Sequence, residues 1–293
     1  MKKLIVFVML SMSFSLYAQE LELRHTYEEE AEELQLKEEK PDLEKIGKMT
    51  ANPLGAAWML WAQNDYRQVR GDGIKGSEDV NLFKFQPVMS IPFEFNDEDW
   101  NLIVRPVIQY NSSPQNDRTN GFGDTALLTL VGPDKLDGAV WGVGFTQIFP
   151  TAEDEVLGQE KWQAGPAFLF ANLAPNVGGW NYGALGQHWW SYAGEDDRES
   201  TSFTDVQYFL NYRLSKTELL GMSPNITYDW EADSDNALTV PVGLGYSDIY
   251  MIGKMPVRIA FEAQYAVVRP DDLGYDWNFR ILFIPVVKNP FRD

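Results

Sequence analysis

The chain has 293 residues, a formal net charge of −19 and no cysteine, and 14% of its residues are aromatic. The absence of cysteine excludes a disulfide framework and a thiolate metal site. The acidity argues against a nucleic-acid partner, because phosphates attract basic surfaces. Ten tryptophans are typical of a protein that places aromatic rings at membrane interfaces.

The first 18 residues predict a secretory signal peptide. Lys2 and Lys3 precede an apolar run over residues 4–10, and Ala18 is a small residue at the expected cleavage position. Removal of this peptide lowers the formal charge to −21, because it carries two lysines and no acidic residue. No later stretch approaches the roughly 20 continuous apolar residues of a transmembrane helix, so a membrane span has to be built from strands.

Residues 19–50 form an acidic segment between the signal peptide and a strand-rich region over residues 51–293. Eight glutamates fall between Tyr27 and Lys48, and Pro41 interrupts the run. Two interpretations stay open for this segment. It is a solvated or disordered periplasmic tail, as for most runs of like charge, or it contains a short helix around Ala31 and Leu34 that stays in the periplasm or enters the lumen as a plug.

Twelve runs with strand character fill residues 51–293. In the run 257–267, apolar side chains at odd positions alternate with Arg258, Glu262 and Gln264 at even positions. Successive side chains of a strand point to opposite faces, so each such run has an apolar and a polar face. The runs are expected at about 55–66, 80–95, 100–110, 122–131, 139–150, 161–172, 180–192, 203–214, 219–230, 237–249, 256–268 and 276–287.

The connections between these runs alternate strictly between two classes. The short ones are 96–99, 132–138, 174–179, 215–218 and 250–255. The longer, acidic ones are 67–79, 111–121, 151–160, 193–202, 231–236 and 269–275. Short periplasmic turns and long extracellular loops alternate in this way in outer-membrane proteins.

The sequence therefore predicts an all-β fold, a transmembrane antiparallel up-and-down β-barrel of about 12 strands, with both termini in the periplasm. A soluble barrel of the lipocalin kind also alternates, but with its apolar face inward. Twelve strands would leave such a barrel a wide hollow that apolar side chains do not fill. The predicted location is the outer membrane of a Gram-negative bacterium, with outer-membrane lipid, lipopolysaccharide and the barrel-assembly machinery as partners.

Aromatic residues fall near the predicted strand ends, where amphipathic rings favour the headgroup level. Part of this pattern reflects the general preference of aromatic residues for strands. The expected outer rim contains Tyr110, Phe149, Trp162, Tyr192, Tyr228, Trp230 and Trp277. The expected inner rim contains Phe95, Trp100, Trp141 and Trp180.

Seven prolines inside predicted strands imply bulges or breaks, because proline donates no hydrogen bond to a ladder. They are Pro87, Pro92, Pro106, Pro166, Pro224, Pro241 and Pro285. A broken wall would allow an apolar solute to leave sideways into the membrane. Structural irregularity with no role in transport is the alternative.

Polar residues at inward-facing strand positions are the candidate lumen and substrate-path residues, because charge is costly on the lipid face. They are Lys84, Glu94, Arg105, Gln109, Asp205, Gln207, Asn211, Arg213, Asp229, Arg258, Glu262 and Arg280. Two roles stay open for the charged members. They pair with one another and narrow or close the pore, or they line a path that selects solutes by charge and size.

An enzyme is not expected. After signal removal only His25 and His188 remain as histidines, and His188 and Ser191 lie three residues apart, on opposite strand faces. No phosphate loop, metal-ligand spacing or dinucleotide fingerprint is present, so no cofactor and no metal is predicted. The acidic loops around residues 153–155 and 195–199 are either solvated or hold divalent cations through carboxylate oxygens.

A series of short motifs resembles the family named after the meta-cleavage pathway of phenol degradation, a group of outer-membrane channel proteins. The motifs are Asn52-Pro53, Gly121-Phe122-Gly123-Asp124, Phe149-Pro150-Thr151-Ala152, Leu157-Gly158, Lys161-Trp162, Gly165-Pro166-Ala167, Gln187, Trp190-Ser191, Ala193-Gly194, Thr227-Tyr228-Asp229-Trp230 and Val240-Pro241-Val242-Gly243-Leu244-Gly245. The resemblance covers roughly residues 50–287. It implies a membrane barrel that passes small, often hydrophobic or aromatic compounds. One departure is the C-terminus, where Phe291 is followed by Arg292 and Asp293.

The predicted function is passive uptake of small, hydrophobic or aromatic solutes through a polar lumen. The alternative is a closed barrel that displays loops or anchors the acidic segment without transport.

Overall fold

The computed structural model describes residues 42–72, 74, 76–114 and 118–292, so the predicted signal peptide and most of the acidic segment lie outside the described residues. The described residues form one helix, α1, and fourteen strands. Their bounds are α1 Leu43–Ala51, β1 Trp58–Arg70, β2 Ser77–Phe95, β3 Glu98–Ser113, β4 Thr119–Phe122, β5 Thr125–Pro133, β6 Gly138–Phe149, β7 Lys161–Leu173, β8 Trp180–Gly194, β9 Ser202–Arg213, β10 Leu219–Met222, β11 Asn225–Asp229, β12 Leu238–Ile252, β13 Met255–Val268 and β14 Gly274–Val287. No helix among these residues is long and apolar enough to cross a membrane.

The strands close into one antiparallel β-barrel with twelve strand positions. Each strand pairs with its neighbour in sequence, and β1 pairs with β14 to complete the ring. Two positions are each occupied by two short strands: β3 pairs with both β4 and β5, and β9 pairs with both β10 and β11. The predicted fold class, strand number and alternation of short and long connections are confirmed.

The tightest connection shows how the sequence determines a turn. Asn96 and Asp97 join β2 to β3 and have φ values of 54° and 60°. A two-residue hairpin of this type requires positive φ at both positions, and asparagine and aspartate tolerate that conformation better than other non-glycine residues. This turn lies at the same end of the barrel as the start of β1 and the end of β14, which is the predicted periplasmic end, and the two ends and halves of the barrel are named accordingly.

The outer surface of the barrel is apolar along the strands. Phe168, Leu244 and Phe261 lie in strand interiors, yet they are 52%, 64% and 57% exposed. Aromatic rings pack in pairs near both rims: Tyr265 against Trp277 at the extracellular rim, and Trp100 against Trp141 at the periplasmic rim. Exposure of such a large apolar surface to water is unfavourable, so the barrel lies in a bilayer. The protein is an outer-membrane β-barrel.

The inward face is also apolar in the periplasmic half of the barrel. Met59, Ile103, Leu130, Leu169 and Ile284 point inward and are at most 2% exposed. The expectation of a polar lumen is therefore corrected for this half. The physical reason is visible in β5, where the run Leu-Leu-Thr-Leu-Val over residues 127–131 places apolar side chains on both faces.

The strand ladder is interrupted beside several of the prolines. Pairing of β2 with β3 stops after Phe85 and resumes at Met89, and Pro87 lies in the gap. Pro106 of β3 lies in the same gap, on the facing strand. Pro224 separates β10 from β11, whereas Pro92 is paired in normal register. The predicted breaks are confirmed at these positions, and the sideways exit of a solute stays a prediction.

The widest interruption lies between the β10–β11 position and β12. Pairing ends at Gly221, opposite Gly245, and resumes at Thr227, opposite Thr239. Two side-chain contacts bridge the gap: Gly243 N donates to the Met222 sulfur at 3.5 Å, and the Tyr208 hydroxyl donates to the Pro241 carbonyl at 2.6 Å. The wall is therefore held there by side chains instead of a backbone ladder.

Helix α1 and the chain that follows it lie at the periplasmic end of the barrel. Lys48 Nζ is 3.0 Å from Asp137 Oδ2 in the β5–β6 turn, and Asn52 Nδ2 donates to the Lys135 carbonyl at 2.5 Å. Leu54 is fully buried against the apolar inward face. These contacts fix residues 43–57 across the periplasmic opening.

Candidate solute path through the barrel

The extracellular half of the lumen holds a polar cavity of about 340 Å³. Its walls include the side chains of Gln63, Lys84, Gln109, Asp205 and Asn225, from five different strands. Each of them alternates with a residue on the lipid side, as Lys84 does with the exposed Phe83 and Phe85. Amide and charged groups therefore surround the space below the extracellular loops.

The connection between β6 and β7, residues 150–160, folds inward over this polar cavity; we call it the mouth loop. Leu157 in the mouth loop is 8% exposed and lines the cavity. The loop also completes the free edge of β4: Glu153 N donates to the Phe122 carbonyl, and Phe122 N donates to Glu153 Oε2, both at 2.9 Å. The loop thus narrows the extracellular mouth.

Asp124 holds the mouth loop from the interruption between β4 and β5. Its Oδ1 accepts from the backbone amides of Thr151 and Ala152 at 3.1 Å, and its Oδ2 accepts from the amide of Gln159 at 2.8 Å. A side chain at Gly158 would place its Cβ 2.6 Å from Asp124 Oδ1, so this close approach requires glycine. Several of the short motifs found in the sequence therefore meet at this single point.

The periplasmic half holds a second cavity of about 160 Å³, which we call the apolar chamber. Met59, Ile103, Leu130, Leu169 and Leu185 are among its walls. An apolar cavity of this kind sheds water easily and favours an apolar occupant.

The polar cavity and the apolar chamber meet at a narrow waist. Arg105 of β3, Leu128 of β5 and Gln207 of β9 line both spaces. A solute that crosses the barrel along its axis passes these three side chains. The waist is therefore the point where a polar surrounding changes into an apolar one.

A buried charged network lies beside the waist and joins the first strand to the last. Arg280 Nε is 2.7 Å from Asp65 Oδ1, and the side chains are 4% and 0% exposed. Gln63 Nε2 donates to the second oxygen of Asp65 at 2.7 Å. Arg280 Nη1 donates to the Ser223 carbonyl at 2.8 Å, and Glu262 accepts from the Ser223 amide and hydroxyl at 2.9 Å. The network draws the interrupted β10–β11 position inward.

Arg258 links the barrel wall to the floor of the apolar chamber. Its Nη2 donates to Thr50 Oγ1 in α1 at 2.8 Å, and its Nη1 donates to Ser247 Oγ at 2.7 Å. Thr50, Ala51 and Pro53 line the chamber from below. The end of α1 therefore closes the periplasmic side of the path.

Nine of the twelve predicted path residues line one of the two cavities. They are Lys84, Arg105, Gln109, Asp205, Gln207, Asn211, Arg258, Glu262 and Arg280. The other three do not: Glu94 is exposed near the β2–β3 turn, Arg213 is buried and donates to the Ala174 carbonyl, and Asp229 accepts from the Glu231 amide at the strand end. The role of all twelve in solute passage stays a prediction.

Sequence reasoning missed Asp65 and the whole apolar chamber. In β1, Asn64 and Asp65 are adjacent polar residues, so alternation does not reveal which of them faces inward. The chamber gave no signal because an apolar inward residue resembles an apolar outward one in sequence. The short helix expected around Ala31 and Leu34 as one alternative for the acidic segment lies outside the described residues, and α1, which begins at Leu43, was not predicted.

His188 and Ser191 do not form a catalytic pair. His188 Nδ1 lies 2.7 Å from Thr204 Oγ1, and its ring packs 4.0 Å from that of Trp190. Ser191 Oγ accepts from the amide of Thr201. The histidine is an aromatic-belt residue near the extracellular rim.

Comparison with solved structures shows the same fold in a known channel. The COG4313 outer membrane channel from Pseudomonas putida F1 is similar with a TM-score of 0.56 and 14% identity, over 78% of this chain and 94% of that chain. The chain has the fold of an outer-membrane channel. The NanC porin gives a TM-score of 0.48 at 10% identity, over 78% of this chain and 100% of that chain. Neither a family model nor a curated relative matches the chain. The link to phenol degradation stays a prediction.

Proposed function

We propose that this barrel is a passive channel for the uptake of small hydrophobic or aromatic solutes. The observation that carries this proposal is the order of environments along the axis: a polar cavity under the mouth loop, a waist at Arg105, and an apolar chamber below it. A solute with an apolar body gains free energy when it moves from the polar cavity into the chamber.

The size of the apolar chamber supports an aromatic solute. Its volume is about 160 Å³. An engineered apolar cavity of about 150 Å³ in another protein binds benzene, so the chamber has room for one ring. The channel fold shared with the Pseudomonas putida protein supports passage in general and leaves the solute class open.

Passage of a solute into the periplasm requires the floor of the chamber to move aside. That floor is formed by Thr50, Ala51 and Pro53, and Arg258 holds Thr50 in place. We therefore propose that α1 restricts the channel from the periplasmic side.

Single-channel conductance of the refolded mature protein in planar bilayers tests the proposal. We expect discrete currents from the wild type and larger currents after deletion of residues 19–51, which removes Thr50 and Ala51 from the floor. The matched point variant Thr50→Val removes the hydroxyl that Arg258 binds but keeps the helix, and we expect a smaller increase. A folded barrel that stays silent both with and without the segment would favour the closed, anchoring barrel instead.

A further inference from the structure

Two cations in the polar cavity have no direct hydrogen-bond acceptor, although the Asp205 carboxylate attracts both of them electrostatically. Lys84 and Arg105 both line this cavity and are half-buried. Within residues 42–292 as described, neither makes a hydrogen bond or an ion pair, and the Nε of Arg105 is fully buried without an acceptor. A buried donor of this strength that meets no acceptor is costly, so its retention calls for an explanation.

The two carboxylates of the same cavity each accept hydrogen bonds from neutral protein groups. Asp124 accepts three backbone amides of the mouth loop. Asp205 accepts from Asn225 Nδ2 through both oxygens, at 2.9 and 3.2 Å. The cavity therefore offers open cationic donors while its acidic groups are occupied, although the whole protein is strongly acidic.

The other inward-facing arginines are engaged. Arg280 pairs with Asp65, Arg258 binds Thr50 and Ser247, and the Arg67 guanidinium lies 4.8 Å from the centre of the Tyr275 ring and 3.9 Å from Asp65. Lys84 and Arg105 thus differ from these arginines in making no direct hydrogen bond or ion pair within the described residues. A general need for positive charge in the lumen does not explain that difference.

Arg105 also stands at the waist, directly above the apolar chamber. It lines both spaces, whereas Lys84 lines only the polar cavity. An anion held by these two side chains would project the rest of its structure downward. The surface that this part would meet is formed by apolar side chains such as Ile103 and Leu169.

We infer that Lys84 and Arg105 form a carboxylate-binding site, and that the channel takes small organic acids with an apolar body. The carboxylate accepts hydrogen bonds from the guanidinium and the ammonium group, and the body enters the apolar chamber. This inference rests on the proposed function and narrows its solute class from hydrophobic compounds in general to amphipathic monocarboxylates.

Isothermal titration of the folded protein in detergent micelles tests the site with three probes. Benzoate carries the charge and the ring, benzamide keeps the shape without the charge, and acetate keeps the charge without the ring. We expect benzoate to bind about tenfold (about 1.4 kcal/mol) more tightly than either of the others. Benzamide lacks the charge that strengthens the hydrogen bonds, and acetate lacks the ring that is buried in the apolar chamber. The wild-type comparison needs no variant.

Variants then locate the site. We expect the double variant Lys84→Gln/Arg105→Gln to lose benzoate affinity about tenfold and to keep benzamide affinity within about twofold. The matched control is Arg67→Gln, which removes one positive charge from the lumen but leaves the pair intact. Gel mobility before and after heating shows whether the double variant has refolded. If it has not, the single variant Arg105→Gln takes its place.

The outcomes separate the inference from the proposed function. Equal binding of benzoate and benzamide, or equal binding of benzoate and acetate, overturns the carboxylate site for amphipathic acids. If Arg67→Gln and the double variant lose the same benzoate affinity, the assignment of the site to Lys84 and Arg105 is overturned. In each case bilayer currents from the wild type would still support a channel, whereas a silent barrel would overturn the channel itself.

Discussion

The two halves of the lumen use the same strand geometry but surround a solute with opposite chemistry. In the extracellular half β1, β2 and β3 turn Gln63, Lys84 and Gln109 inward, whereas nearer the periplasm the inward residues of β1 and β3 include Met59 and Ile103. The lipid-facing residues are apolar in both halves. The bilayer therefore requires an apolar residue at nearly every outward-facing position, whereas the polarity of the inward-facing residues varies along the barrel axis.

The halves are also closed by different means. The mouth loop enters from the extracellular side and is held by Asp124 through three backbone amides, by Glu153 at the edge of β4, and by Arg198, which donates to the Glu155 and Gly158 carbonyls. The periplasmic side is covered by α1, which Arg258 and Asp137 hold through side chains. Substitutions in the mouth loop and in α1 therefore test the two closures separately.

The largest effect is expected at the boundary between the halves. Arg280→Met leaves the buried Asp65 carboxylate with Arg67, at 3.9 Å, as its remaining cation, and losing the closer partner of a buried pair costs up to about 3–5 kcal/mol of unfolding free energy. Urea unfolding in detergent micelles measures the change. The double variant Asp65→Leu/Arg280→Met removes both charges and should regain most of the loss. Equal losses in the single and double variants would show that the pair is not what holds the boundary.

A smaller effect is expected in the polar half. Asp124→Ala removes the acceptor of the mouth loop and should lower the unfolding free energy by about 1.5–3 kcal/mol, the value of a hydrogen bond to a charged group. Single-channel conductance should rise, because the freed loop no longer narrows the mouth. Asp154→Ala is the control, since Asp154 binds only the Val156 amide within its own loop. Unchanged conductance in Asp124→Ala would argue against a constriction by the loop.

The smallest effect on stability is expected in the apolar half. Ala260→Trp fills part of the apolar chamber, and overpacking of this kind costs about 1–3 kcal/mol. Conductance should fall because Ala260 lines the path. Ala263→Trp lies three residues further along β13, on the lipid face, and should leave conductance unchanged. Similar currents in both variants would mean that solutes bypass the chamber.

The strands were predictable because the bilayer constrains every one of them. The runs expected at 161–172 and 276–287 correspond to β7 at Lys161–Leu173 and β14 at Gly274–Val287. The strand interruption at Gly123 and Asp124 was not expected, because no proline marks it. Its cause is the mouth loop, which lies further along the chain, between β6 and β7. The break at Pro224 was expected, because proline cannot continue the ladder.

The candidate site was predictable only in part. Alternation placed Arg105, Asp205 and Gln207 inward, where the structure has them on the cavity walls. It gave no indication that Arg280 pairs with Asp65, because these residues meet only where β14 closes on β1. It also gave no indication that Arg105 makes no direct hydrogen bond or ion pair within the described residues, because that depends on every side chain around the lumen.

The sequence by itself determined the inward face of most of the predicted path residues, the number of strands and the alternation of short and long connections. These follow from a period of two residues and from loop lengths, which are local properties. Only the tertiary structure decided that the inward apolar residues collect in one half, that the mouth loop binds Asp124, and that α1 closes the periplasmic end. The physical reason is that the height of a residue along the barrel axis, and its neighbour across the lumen, depend on the register and closure of all strands together.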